Sequence, residues 1–365
     1  MEGEVIYFYI YDVGAEIDIE KLERILKRGV HLELSITKAV PEYVKFPSPI
    51  NIELKSEEFE TSVGKKKFDV CVRIFSIGAV SISVRASFTV NEITELLVYN
   101  RLELSDGKGK IGMMEYTKRI FDEIMEEIKH AFEESYDVKV PPEKYTVFVI
   151  KKLEKTPKEI FLNKKKELCS LLMNEPNMER LSDKEMDDTL RCWYSYYLED
   201  LVIIDWDRAL IFESGNYDEL LFMIEIANMQ LLELRTYDAY IDKVLDKCYD
   251  DFTKFFSKKG IFTSARPMVK ILSDVRVDMA KVTDEITNIT KFFGDWYLAK
   301  AYLGCAEKFH LKDWQTMVNE KLQTLNELYL IANEEVGHRR TFILEAMIVL
   351  LFLIDLVLIG FVSFR

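Results

Sequence analysis

Apolar residues recur at every second position along much of the first part of the chain and at every third or fourth along the last part. The runs Val5–Tyr11, Phe68–Phe75 and Ala79–Phe88 are rich in aromatic and β-branched residues, and "AVSISVRASF" alternates plainly, so these segments predict strands. Between and after them, "DIEKLERILKR" and "YTKRIFDEIMEEIKHAFEESY" place apolar residues at helical spacing. Thr146–Ile150 predicts a further strand. Leu201–Ile204 and Ala209–Phe212 predict a hairpin closed by Asp205-Trp206-Asp207-Arg208.

Strand signals stop beyond Tyr217. Helices are expected over Tyr217–Phe256, Pro267–Phe293, Trp296–Phe309 and Lys312–Val336, with Gly294 and Gly337 placed where helices stop or bend. Met268, Leu272, Val275, Met279, Val282, Ile286, Ile289 and Phe293 step by four and three. Leu311, Trp314, Val318, Leu322, Leu325, Tyr329, Ala332 and Val336 nearly do, so the two stripes are expected to pack as an antiparallel pair within one subunit, with a parallel coil between subunits as the alternative. The expected fold is α+β: an N-terminal mixed α/β domain over 1–150, a connecting region with a β-hairpin over 151–216, a long-helix, coiled-coil-like region over 217–340 and a transmembrane helix over 341–364.

The last of these rests on an apolar run of nineteen residues, Ala346–Phe364, close to the ~20 that a bilayer core requires. Fourteen of the nineteen are Leu, Ile, Val or Phe. Together they favour insertion by about 4–8 kcal/mol, against about 2.5–3.5 kcal/mol opposed by the central Asp355. An acid at that depth is expected to face a protein neighbour, either another copy or a different membrane protein, because a carboxylate facing hydrocarbon is costly. His338, Arg339 and Arg340 precede the run and Arg365 follows it, which predicts a single-pass protein of the cell (inner) membrane with its body cytoplasmic. Glu345 lies at the expected membrane boundary, within reach of lipid headgroups or Arg339.

Charge narrows the partners. Sixty-three acids against forty-nine Lys and Arg give a formal net charge of −14, which disfavours broad binding to phosphate backbones. The five cysteines form no C-x-x-C pair, as suits reduced thiols rather than a disulfide or zinc framework. His31, His130, His310 and His338 lack metal spacing, no phosphate-cradling loop or nucleophile elbow occurs, and no cofactor is expected. Asp205 and Asp207 form the best catalytic candidate, since residues two apart on an extended chain point to one face and can share a hard cation. Turn chemistry, with Arg208 neutralising the pair, is the favoured reading.

The segment "FSIGAV" at Phe75–Val80, the helical middle and "VNEKLQTLNELYLIANEEVGHRR" leading into an acid-containing span resemble the Rmd/YagE family, named for proteins required for meiotic nuclear division. Asn319, Leu322, Leu325, Leu328, His338, Arg339 and Glu345 fit that family's C-terminal pattern, and Asp355 stands where it usually places Glu. The resemblance implies a membrane-anchored protein without an established catalytic site; a mitochondrial relative tethers the ribosome at the inner membrane. The expected function is therefore a tail-anchored scaffold or interaction module. The alternatives are a membrane-associated metal-dependent enzyme and a homo-oligomeric ion or proton pathway lined by Asp355.

Overall fold

The computed structural model describes residues 1–13, 17–26, 30–31, 49–105, 109–131, 140–153, 155–257, 270, 273 and 296–363. The chain divides into two compact units, one of Met1–Tyr237 with Ile286–Gln315 and the other of Asp238–Glu285 with Thr316–Arg365.

The first unit is built on one mixed sheet, twelve-stranded among the described residues. At its centre β1 (Glu2–Asp12) is flanked by β6 (Ala79–Thr89) and β9 (Glu143–Lys152), both antiparallel to it. Beyond β6 come β5 (Gly64–Ile74), β4 (Glu57–Thr61), β7 (Glu103–Ser105) and β8 (Lys110–Gly112), with β3 (Ile50–Glu53) and β2 (Val30–His31) branching from β5. Beyond β9 come β12 (Arg208–Phe212), β11 (Leu201–Ile204) and the edge strand β10 (Trp193–Tyr194). β12 runs parallel to β9, so the expected hairpin β11–β12 extends the N-terminal sheet.

Every residue of β1 from Val5 to Tyr11 is buried, as happens to a strand covered on both faces. On one face Tyr11 stacks on Phe121 of α2 (Met113–Ile128) with ring centroids 4.3 Å apart, and its hydroxyl lies 3.0 Å from Thr117 Oγ1. Tyr7 on the same face donates to the Tyr99 carbonyl at 2.7 Å. α1 (Ile19–Leu26) packs Leu22 and Leu26 into that layer. The β9-to-β12 connection carries α3 (Pro157–Asn163), α4 (Lys165–Met173) and α5 (Asp183–Thr189). α3 starts on a capping box between Thr156 and Glu159 with Pro157 next, a pairing that satisfies N–H groups left free in a first turn.

The other face is covered by the first part of α6 (Asp218–Ser257), where Phe222 stacks 6.5 Å from Phe75, and by Phe309 just past α7 (Trp296–Lys308), which meets Tyr145 edge-on at 5.4 Å. Between Leu220 and Leu234 almost all of α6 is buried, so this helix is apolar nearly all round. The β5–β6 turn, Phe75-Ser76-Ile77-Gly78, closes with Gly78 at φ +90°, a conformation costly to a residue with a Cβ.

In the second unit α6 continues to Ser257, burying Ile241, Val244, Leu245 and Cys248. α8 (Leu311–Ser363), whose first residues belong to the first unit, buries Val318 and Leu325 here. Lys321 of α8 bridges Asp238 and Asp242 of α6 at 2.6 and 2.7 Å, which ties the two helices together beside the expected α8 stripe. The stripe over 267–293, its expected partner, lies outside the described residues. α8 does not stop at Gly337, against the expectation from sequence, but runs through it: helical spacing continues on both sides, and one glycine costs only about 1 kcal/mol in a helix interior. Among the described residues no helix is long and apolar enough to cross a membrane. The apolar run 346–364 lies partly outside them, since past Leu356 only the side chain of Ile359 is described.

Candidate functional sites

Asp205 and Asp207 sit at the β11–β12 turn, where Asp205 N–H donates to the Arg208 carbonyl at 2.9 Å. Tyr145, wholly buried beneath, donates its hydroxyl to the carbonyls of both Asp205 and Arg208 at 2.8 Å. Each carboxylate has its own cation. Lys308 of α7 reaches Asp205 at 2.9 Å, and Arg208 reaches Asp207 at 2.7 Å while also binding the Leu172 carbonyl and the Asn100 side chain, both at 2.8 Å. Burial raises the Asp207 pKa above the ordinary carboxylate value, against the pull of Arg208. Asp207 and Arg208 border a cleft of about 350 Å³ with Lys144 and Tyr145. Among the described residues no group of three or more His, Cys, Asp or Glu is placed to hold a metal ion.

His338, Glu345 and Asp355 are exposed along the end of α8, and the side chains of Arg339 and Arg340 lie outside the described residues. The apolar side chains around Asp355 are exposed as well, from 47% at Ile354 to 71% at Phe352. From Leu344 to Leu356 every side chain is exposed, on all sides of the helix.

A third site was not singled out from the sequence. Strand alternation puts Asp69, Cys71 and Arg73 of β5 on the α6 side of the sheet. Register sets Asn51 and Ser81 beside Arg73, Glu53 and Ser83 beside Cys71, and Arg85 beside Asp69. Of these, Asn51, Glu53, Asp69, Cys71, Arg73 and Arg85 line a cleft of about 620 Å³ with the start of α6. At its floor Arg73, 8% exposed, forms an ion pair with Glu225 of α6, which is fully buried, and its guanidinium lies 5.6 Å from the Phe222 ring. Burial opposes the charge on Arg73, but the groups around it, Glu225 foremost, together raise its pKa. Burial likewise pushes the Cys71 thiol up, so the thiolate is disfavoured. Arg85 lies 3.7 Å from Glu4 and 3.5 Å from Asp218, and Asp69 accepts from Ser56 at 2.5 Å. The signal was present in the sequence: "DVCVR" and "SISVR" give adjacent strands a polar face carrying an arginine each. Such a face ordinarily points to water; here α6 covers part of it.

The fold and these sites define a two-unit α+β protein, a sheet domain closed by a buried helix and followed by long helices ending in an exposed apolar stretch. Residues 2–218, from the start of β1 to the first residue of α6, match the family described as Uncharacterized protein MJ0711, N-terminal domain, and the chain belongs to that family. It is 24% identical over 252 residues to a Methanocaldococcus jannaschii protein described as Uncharacterized protein MJ0711, covering 69% of this chain and 74% of that one. No solved structure matches the chain.

Proposed function

We propose that the protein is a membrane-held interaction module, fixed to the bilayer by the apolar end of α8 with its two-unit body as the part that engages partners. The observation that carries this reading is the exposure of Leu344 to Leu356 on every side of α8. A helix facing water keeps a polar face, and contiguous exposed apolar surface of this kind marks a membrane or protein contact. The basic residues His338, Arg339 and Arg340 on its N-terminal side favour a cytoplasmic body at the cell (inner) membrane. Asp355 is the contact point to another copy or a second membrane protein, since polar groups across helix interfaces in lipid contribute roughly 0.6–2 kcal/mol. The likeness to the Rmd/YagE family is a further support, carried by Asn319, Leu322, Leu325, Leu328, His338, Arg339 and Glu345.

Deleting residues from Thr341 onward tests the reading. The shortened chain should fold and remain in the supernatant after high-speed centrifugation, whereas the full chain sediments with membranes. Protease added to the outside of intact cells should leave the body whole. A shortened chain that still sediments, or a body digested from outside, overturns the proposal.

A further inference from the structure

The β5–α6 cleft contains polar atoms that its own neighbours leave unpaired. Its floor has a buried donor and a buried acceptor without hydrogen-bond partners among the described residues: Arg73 Nε and Asn51 Oδ1. They belong to directly paired residues of β5 and β3, positions that stand side by side on one face of a sheet. A second buried acceptor, Glu225 Oε1, is also unpartnered behind Arg73. Unsatisfied buried polar atoms are costly, so a pair of opposite kind lining one cleft calls for a ligand that carries both an acceptor and a donor.

Charge sets the remainder of the ligand. The lining holds Arg73 and Arg85 against Glu53, Asp69, Asp218 and Glu219. Both arginines already face carboxylates, Glu225 for Arg73, and Glu4 and Asp218 for Arg85. Glu53 and Glu219 have no cation among the described residues, leaving the cleft with excess negative charge. Its volume of about 620 Å³ lies within the ordinary range of small-molecule sites.

We propose that this cleft binds a basic α-amino acid. The α-carboxylate accepts from Arg73 Nε, the α-ammonium donates to Asn51 Oδ1, and the side-chain cation lies against Glu53 and Glu219. An α-amino acid carries an acceptor group and a donor group on one carbon, as a donor and an acceptor on directly paired residues require, and a basic side chain matches the acidic rim.

The test is isothermal titration of the full chain, purified in detergent micelles, with L-arginine and L-lysine. Agmatine, which lacks the carboxylate, and norleucine, which lacks the side-chain charge, serve as comparators. At least one of the two basic amino acids should bind, with both comparators at least tenfold weaker. Because Arg73 is buried, the variant to use is the rim double Glu53→Gln and Glu219→Gln, which should keep its circular dichroism and lose about tenfold in affinity for the basic amino acid. The proposal is overturned if neither amino acid binds, if agmatine or norleucine binds as tightly, or if the folded double variant binds unchanged.

Discussion

Replacing Arg73 by Met separates the work of the buried ion pair from the packing around it. Met keeps an unbranched stem against Phe222 but removes the charge, so Glu225, with none of its surface exposed, is left without its cation. Removing one member of a buried pair costs about 3–5 kcal/mol, because the remaining charge is neither solvated nor neutralised. For a unit of this size about 2 °C of Tm accompanies each kcal/mol, so a loss of about 6–10 °C is expected. The double variant Arg73→Met with Glu225→Met removes both charges, and such replacements of buried pairs are often neutral or stabilising. It should recover most of the loss, giving a coupling energy above about 2 kcal/mol in a double-mutant cycle. Urea unfolding followed by circular dichroism supplies the four stabilities. A single-variant loss below about 1 kcal/mol, or losses that simply add, would refute the reasoning, since additivity is what independent sites give.

Gly3→Ala should destabilise the centre of the sheet, because a Cβ there would lie 2.0 Å from the Val149 carbonyl oxygen, a backbone atom that cannot swing aside; a loss of about 1–3 kcal/mol is expected, and an unchanged denaturant midpoint would contradict the β1–β9 pairing. Asp207 has a raised folded-state pKa, so its contribution favours the folded state below the ordinary value of 3.8 and is lost as pH rises through the higher folded value. Asp207→Asn removes that dependence, and its stability relative to the parent should therefore improve from acid to neutral pH; a constant difference across that range would show that the group does not titrate as described. Cysteines at positions 352, 355, 356 and 359 should cross-link along one helical face, and Asp355→Leu should weaken cross-linking from 352, 356 and 359; unchanged yields would remove Asp355 as a contact.

The strands were legible where the alternation is strong. Val5–Tyr11, Ala79–Phe88 and the hairpin at 201–212 fall where the pattern placed them, because their side chains pack on a pleated sheet with period two. Which strands lie side by side was not legible: the parallel pairing of β12 with β9 joins residues about sixty positions apart, and no local propensity encodes it. The aspartates of the turn were read locally as turn residues, yet Lys308 and Tyr145, which hold them, come from α7 and β9. The cleft was hidden for the same reason. Arg73 and Arg85 look like solvent-facing residues of alternating strands, and only the return of α6, bringing Glu225 and Phe222, encloses that face. The length of α8 was not legible at Gly337, where a residue that often ends helices sits inside one.

The most direct measurement of the membrane claim is alkaline carbonate extraction of two chains, the parent and one with Leu350→Arg and Ile354→Arg in the exposed apolar stretch of α8. Two arginines at that depth oppose insertion by about 5–7 kcal/mol, comparable to everything the apolar residues contribute. The parent should stay in the membrane pellet after extraction, and the double variant, with both units still folded, should be released to the supernatant. Release of the parent by carbonate, or equal retention of both chains, would contradict the account.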